Sequence, residues 1–213
     1  MNKLMLSLIV GTMTFSSLAS ANLEKITKKS VNDHVAKWPE ESRKATDFMI
    51  NKYGLPSGVT TDMLVWTDVK PFKKSIVYKE AVPHKFPMEH NDVLEHFIDY
   101  KAPSSDAVAK VWDFDGSVIL ERTKGEMSAR CDREEANILA LNLADQVIKG
   151  ERSVEEARLE YGRQIMAFKN NEPKQLTQKL VFSPAEEAAG DPGEPIMDQL
   201  KKETMQAEEE KPE

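Results

Sequence analysis

Cysteine is nearly absent from this sequence of 213 residues, in which Cys131 is the only one. The chain therefore cannot form an internal disulfide, and its stability must come from a hydrophobic core. Glycine-rich phosphate loops and G-x-S-x-G elbows are also missing, which argues against nucleotide and serine hydrolases. No basic patch is present, so we expect no nucleic-acid partner. Beyond the first 21 residues no stretch is apolar enough to span a bilayer, and we expect no transmembrane segment in the mature chain.

The first 21 residues have the pattern of a signal peptide. Lys3 provides a positive start, residues 4–15 are mainly apolar, and Ala19-Ser20-Ala21 has the small-x-small form that signal peptidase cleaves. At about 10 to 15 residues, the apolar run is too short to be a comfortable membrane span. We therefore expect cleavage after Ala21 and a soluble mature protein that is periplasmic or secreted.

The formal net charge of −7 is unevenly distributed along the chain. Residues 183–213 are acidic, rich in proline and free of aromatic residues, which predicts a disordered tail. Residues 22–37 are polar and predict a weak helix at most. Residues 38–182 lie between these segments and are long enough for a single domain with one core.

Hydrophobic periodicity predicts an α+β domain with a mainly antiparallel sheet of about five strands covered by helices. The pattern 93–100 fits a helix or a strand, and its alternation favours a strand. Asp132 and Ser153 are predicted helix N-caps, and the two helices that follow them should form a C-terminal αα-hairpin. Residues 82–92 are predicted to be a loop. The predicted strands are 63–67, 75–81, 93–100, 118–123 and 126–131, and the main predicted helices begin near residues 39, 105, 133 and 154.

Three of the four histidines, His84, His90 and His96, fall within thirteen residues, and acidic residues lie among them, including Asp92. Imidazoles and carboxylates are ligands of zinc and copper, so these three histidines form a candidate site for either ion. Their six-residue spacing matches neither a helix face nor the usual zinc signatures. The alternative is an ordered, proline-flanked loop whose histidines bond to the backbone.

Cys131 precedes a predicted helix N-terminus, where the helix macrodipole would lower the pKa of its thiol and make it redox-sensitive. The alternative is a small buried apolar side chain at the end of a strand. The sequence predicts no histidine partner for this thiol, so we do not expect a cysteine hydrolase.

Residues 112–118 resemble the D-x-D-G-[TS] signature of haloacid-dehalogenase-type phosphatases, with Asp113 as nucleophile and Asp115 as proton shuttle. That signature requires a buried parallel strand before it, and the preceding residues have a polar, helical pattern. We therefore favour a turn at Asp115-Gly116 that leads into a strand.

Segments 52–56, 75–78, 82–88, 114–119, 129–132 and 153–158 together resemble a family of exported bacterial proteins to which no activity is assigned. This resemblance covers residues 38–161 and implies location, not mechanism. The helix ending at Gly54-x-Pro56 and the strands around Trp66 and 76–78 are also similar to small periplasmic modules of outer-membrane assembly. Those modules bind proteins and catalyse nothing.

These observations lead to two functional expectations. The first is a non-enzymatic, exported binding module whose partner is an envelope protein or a small ligand. The second is a metal-binding protein, or a metal-dependent hydrolase, that uses the region from His84 to His96.

Overall fold

The computed structural model describes residues 26–172, 174–186, 190, 193 and 195–209. The predicted signal peptide lies outside these residues. None of the described helices has the length and apolar character needed to cross a membrane. In chain order the elements are α1 (Lys28–Val35), α2 (Glu40–Tyr53), β1 (Gly58–Val59), β2 (Met63–Thr67), β3 (Lys74–His84), β4 (His90–Asp99), α3 (Asp106–Phe114), β5 (Val118–Glu121), β6 (Glu126–Cys131), α4 (Glu134–Lys149), α5 (Val154–Lys169), α6 (Gln175–Gln178) and α7 (Ile196–Glu209).

The strands form one six-stranded sheet in the order β1-β2-β3-β4-β6-β5, and every neighbouring pair is antiparallel. This confirms the predicted α+β class and antiparallel sheet. The ambiguous pattern at 93–100 is confirmed as a strand within β4. The sixth strand is β1, whose two residues are too short to show a periodic pattern.

One face of the sheet is buried beneath helices. Leu64, Val77, Leu94 and Cys131 lie opposite one another on successive strands, and each is at most 5% exposed. Because side chains alternate along a strand, this row belongs to a single face. Helix α2 packs on β3 and β4, whereas α4 packs on β6, β4 and β5. Burial of this face against the helices drives the domain to fold as one unit.

The predicted αα-hairpin is formed by α4 and α5. Gly150 follows α4 with φ of 74°, a left-handed conformation that glycine adopts without a Cβ penalty. Ser153 and Glu156 form the predicted capping box at the start of α5. The predicted N-cap at Asp132 is wrong. Arg133 occupies that position, and the Asp132 carboxylate accepts hydrogen bonds from the Arg133 side chain.

The predicted loop 82–92 is mostly strand. Strand β3 continues to His84 and β4 begins at His90, so only residues 85–89 connect them. The pairing register shifts between Val77 and Val82, and the strands pair again beyond this irregularity. Pairing with a neighbouring strand has overridden the low strand propensity of a segment that contains Pro83.

Helices lie in both of the predicted terminal segments. Within residues 22–37, helix α1 packs on α2, and its Val31 and Val35 are buried in the core. In the segment predicted to be a disordered tail, residues Ile196–Glu209 form the helix α7. Its side chains at Ile196 and Leu200 are nevertheless exposed.

Candidate metal site

The candidate site lies where the β3–β4 hairpin meets the connection between α3 and β5. His84 ends β3 and pairs in register with His90, the first residue of β4. Asp92 lies two positions farther along β4, on the same face as His90. Asp115 and Ser117 reach the same point from the α3–β5 connection.

The side chains of His84, His90 and Asp92 converge, with one donor atom from each lying within 4.8 Å of the others. His90 Nε2 is 3.0 Å from Asp92 Oδ1, and His84 Nδ1 is 3.4 Å from Asp92 Oδ2. Asp92 is buried, whereas both histidines are partly exposed. Two imidazoles and one carboxylate form a donor set suited to zinc, copper or ferrous iron.

A backbone carbonyl orients the His90 ring. His90 Nδ1 lies 2.8 Å from the carbonyl oxygen of Met88, to which its N–H donates. In the neutral ring this contact leaves the lone pair on Nε2, the nitrogen that faces Asp92. Histidine ligands of metals are commonly held in this way by a backbone carbonyl.

The two carboxylate oxygens of Asp92 have different surroundings. Ser117 Oγ donates a hydrogen bond to Oδ2. Oδ1 is buried and has no hydrogen-bond partner among the residues that the structure describes, because its 3.0 Å approach to His90 Nε2 lacks hydrogen-bond geometry. Leaving a buried acceptor unpaired costs about 1–3 kcal/mol. A cation bound beside Oδ1 would remove this cost.

The pKa values of Asp92 and His90 are shifted in opposite directions, so that both groups are charged at neutral pH. Burial acts to raise the pKa of Asp92, but the close approach of His84 and His90 and the hydrogen bond from Ser117 outweigh it and lower that pKa to about 2. Burial acts to lower the pKa of His90, but Asp92 and Cys131 outweigh it and raise that pKa to about 11. A metal ion must therefore compete with a firmly held proton on His90.

Asp115 forms the outer part of the site. Its Oδ1 accepts a 2.9 Å hydrogen bond from the Ser117 backbone N–H and lies 3.6 Å from His84 Nε2. Burial raises the pKa of this carboxyl, against the opposing effect of the Ser117 hydrogen bond. Asp113 is exposed on α3, so the two aspartates of the D-x-D motif point to different environments. The motif begins in the last residues of helix α3 and continues into a turn, whereas the phosphatase signature requires a strand before it.

Cys131 also reaches the site, which the sequence did not predict. Its Sγ lies 3.2 Å from His90 Nε2, across the pair of strands β4 and β6. Burial raises the pKa of the thiol, an effect larger than the opposing contact with His90. The structure therefore favours the buried interpretation of Cys131 over the thiol activated by the helix macrodipole.

His96 lies away from the candidate site, although the sequence grouped it with His84 and His90. Its Nδ1 lies 2.6 Å from Ser75 Oγ, its ring stacks on Phe72, and it is fully buried beneath the helices. His96 lies four positions after Asp92 along the extended strand β4, a distance of about 13 Å. The ligand set is therefore corrected to His84, His90 and Asp92. Of its members, the sequence indicated both histidines and included Asp92 only as a neighbouring acid.

Two cavities meet at His90. The smaller, of about 150 Å³, contains Cys131 and has apolar walls that include Ile165 and Phe168. The larger and more open one, of about 570 Å³, contains His84 together with the acidic side chains of Glu41 and Glu89. The histidines are thus accessible through an opening whose carboxylates attract cations.

Comparisons with protein-family models, with curated proteins and with solved structures found no match.

Proposed function

We propose that this protein is an exported metal-binding protein that holds zinc or copper through His84, His90 and Asp92. The observation that carries this proposal is the buried, unpartnered Oδ1 of Asp92, which lies 3.0 Å from His90 Nε2. A metal ion between these atoms would satisfy the carboxylate and use the nitrogen that the Met88 carbonyl leaves available.

A protonated His90 that merely neutralises Asp92 is the main alternative. It explains the raised pKa of His90, but it leaves Asp92 Oδ1 without a hydrogen bond. His84 approaches the other oxygen of Asp92, with 3.4 Å between Nδ1 and Oδ2, and its ring centroid lies 5.0 Å from that of His90. Two partly exposed imidazoles packed around one buried carboxylate are better explained by an ion that all three contact.

The test is a zinc and copper titration of the purified protein after chelator treatment, followed by calorimetry and thermal melting. We expect one ion per chain. An ion at about 100 times its dissociation constant should raise the free energy of unfolding by roughly 2.7 kcal/mol. His84→Ala, His90→Ala and Asp92→Asn should each remove most of this gain.

Two variants control for the loss of a histidine or an aspartate elsewhere. His34 and Asp47 are both exposed and lie on α1 and α2, away from the site. His34→Ala and Asp47→Asn should keep the full metal-dependent gain. Equal stability of the wild-type protein with and without each ion would contradict the proposal.

Export is a separate part of the proposal and rests on the sequence. The positive start, the apolar run and Ala19-Ser20-Ala21 together support cleavage after Ala21. Protein recovered from cell fractions should be periplasmic or secreted, and its intact mass should correspond to a chain that begins at Asn22. Retention of Met1, or recovery only from the cytoplasm, would refute this part.

Binding of an envelope protein is a second candidate function, favoured by one exposed surface. Val108 and Trp112 share a face of α3 and are 54% and 77% exposed. Exposed tryptophan is unusual outside binding surfaces. Trp112→Ala should abolish capture of a defined envelope partner, whereas Met166→Ala, which removes another exposed apolar side chain, should not.

A further inference from the structure

Cys131 and Asp92 approach the same nitrogen of His90. Cys131 Sγ lies 3.2 Å from His90 Nε2, and Asp92 Oδ1 lies 3.0 Å from that atom. His90 Nδ1 is already engaged by the Met88 carbonyl. The thiol itself is buried at the end of β6, only 5% exposed.

This arrangement differs from that of a catalytic cysteine. In a Cys–His–Asp triad the thiol and the carboxylate contact opposite nitrogens of the imidazole, so that one nitrogen takes the thiol proton while the carboxylate orients the ring through the N–H of the other. Here both groups are on Nε2, and the carboxylate has no hydrogen bond to the ring among the described residues. Asp92 therefore does not occupy the orienting position of such a triad.

The same arrangement resembles donors gathered around one ion. Bond lengths of about 2.0–2.3 Å and tetrahedral angles place neighbouring nitrogen, oxygen and sulfur donors roughly 3.4–3.6 Å apart. The distances from His90 Nε2 to Asp92 Oδ1 and to Cys131 Sγ are slightly shorter, at 3.0 and 3.2 Å. Among the described residues, the donor atoms that lie within 4.8 Å of one another come from His84, His90 and Asp92, so the Cys131 side chain must move toward Asp92 and His84 to share their ion.

We propose that Cys131 is the fourth donor to the ion held by His84, His90 and Asp92. This inference rests on the proposed function and deepens it, because it specifies the class of ion. A thiolate donor favours zinc, cadmium and cuprous copper over magnesium, calcium and manganese, which prefer oxygen. The buried, unpartnered oxygen of Asp92 is the independent observation that an ion belongs at this point.

A four-donor site has a functional consequence. Structural zinc sites use four protein donors, whereas catalytic sites keep one position open for water or substrate. With Cys131 as a ligand, all four positions are filled by protein atoms. Such a site stores or carries its ion, or uses it to stabilise the fold. A metal-dependent hydrolase, which needs an open position on the ion, is then less well supported than a metal-binding protein.

Cobalt(II) titration with absorption spectroscopy tests this inference directly. We expect tetrahedral visible bands together with a near-ultraviolet sulfur-to-cobalt charge-transfer band in the wild-type protein. Cys131→Ser should lose the charge-transfer band and bind zinc at least about tenfold more weakly. His34→Ala, the matched control, should retain both the band and the affinity.

Alkylation of the wild-type thiol gives a second readout that needs no variant. Cys131 lines the cavity of about 150 Å³, through which a small reagent such as iodoacetamide reaches it. Saturating zinc should slow its alkylation at least about tenfold, because the lone pair of a coordinated thiolate is engaged. Magnesium should leave the rate unchanged.

Two results separate failure of this inference from failure of the proposed function. The first result is that cobalt binds without the sulfur-to-cobalt charge-transfer band and zinc does not change the rate of alkylation. This result would overturn the role of Cys131 and leave the three-donor site intact. No binding of zinc, copper or cobalt by the wild-type protein would overturn both.

Discussion

The imidazole ring of His96 stacks on the phenyl ring of Phe72, with 4.0 Å between centroids and an angle of 6° between planes. This pair lies in the interior, where His96 is 0% exposed. Its Nδ1 is hydrogen-bonded to Ser75 Oγ, while Nε2 has no hydrogen-bond partner in the described part of the chain and lies 3.5 Å from Glu134 Oε2. The ring is an aromatic packing element of the core.

Acid should destabilise the protein through His96. Burial lowers the pKa of His96 to about 3, and the charge of Lys52 acts in the same direction. Because the unfolded chain takes up this proton near pH 6.5, the contribution of His96 is complete above that pH and is lost as pH falls toward 3. The loss is at most roughly 1.4 kcal/mol per pH unit. Chemical denaturation between pH 7 and pH 4 measures it.

His96→Phe is the variant that isolates this effect, because it preserves an aromatic ring against Phe72 and cannot be protonated. Its stability should fall less steeply between pH 6.5 and pH 4 than that of the wild-type protein. His34→Ala, which removes an exposed histidine, should leave the steep slope. Identical slopes for the wild-type and His96→Phe proteins would show that His96 is not the titrating group.

The stability that His90 contributes should be lost as pH rises, whereas the contribution of His96 is lost as pH falls. After chelator treatment, the charged His90 contributes its full stabilisation below pH 6.5, and this is lost as pH rises toward its folded pKa of about 11. Asp92 contributes above its unfolded pKa near 3.8 and loses that contribution as pH falls through about 2. His90→Gln should flatten the decline between pH 7 and pH 10.

With zinc bound, the stability contributed at His90 should increase as pH rises, and without zinc it should decrease. Because the ion displaces the proton from His90, its affinity and the stability gain it brings should increase as pH rises from 6 to 9. Calorimetry in buffers with different ionisation enthalpies should detect proton release on zinc binding at pH 8. A gain that is constant over this range would mean that zinc binds away from His90.

Asp113 and Asp115 are neighbouring acids with different surroundings, and they provide a matched pair of substitutions. Asp115→Ala leaves the Ser117 N–H without its acceptor and should cost about 1–3 kcal/mol of unfolding free energy. Asp113→Ala removes an exposed side chain and should cost less than about 0.5 kcal/mol. Comparable losses in denaturant melts would indicate that the two carboxylates are equally important to the fold.

The chain should tolerate truncation only beyond the segment that packs on the domain. Phe182 packs edge-on against Tyr100, and Asn142 bonds to the backbone at Leu176, Lys179 and Val181. Ending the chain at Glu186 should lower the melting temperature by less than about 5 °C, because the α7 side chains at Ile196 and Leu200 are exposed. Ending the chain at Gln178 should lower the melting temperature much more, since the contacts of Lys179, Val181 and Phe182 are lost. A large drop for the first truncation would show that the tail docks.

Local sequence patterns were sufficient for most of the secondary structure. The β5–β6 hairpin, the long helix α4 and the capping box of α5 follow from alternation, periodicity and a few capping residues. These signals lie within about ten residues of each other, so no distant contact is needed to recognise them. The polar character of residues 22–37 weakened the helical signal of α1, whose buried residues are two valines, Val31 and Val35.

The candidate site was predicted only in part, because its donors come from segments distant in sequence. His84 and His90 lie close along the chain, and the sequence indicated both. The inclusion of Asp92 and the exclusion of His96 follow from the geometry of β4, which places the first beside His90 and the second in the core. Cys131 is separated from His90 by 41 positions.

The sequence by itself determined the α+β class, the main helices and strands, and a region rich in potential metal ligands. It did so because these properties depend on local periodicity and composition. Only the tertiary structure decided which of these groups meet. The strand order places β6 beside β4, so Cys131 reaches the imidazole of His90, and the register of β3 and β4 brings His84 opposite His90. Side chains far apart in the chain become neighbours only through this pairing, which no local pattern encodes.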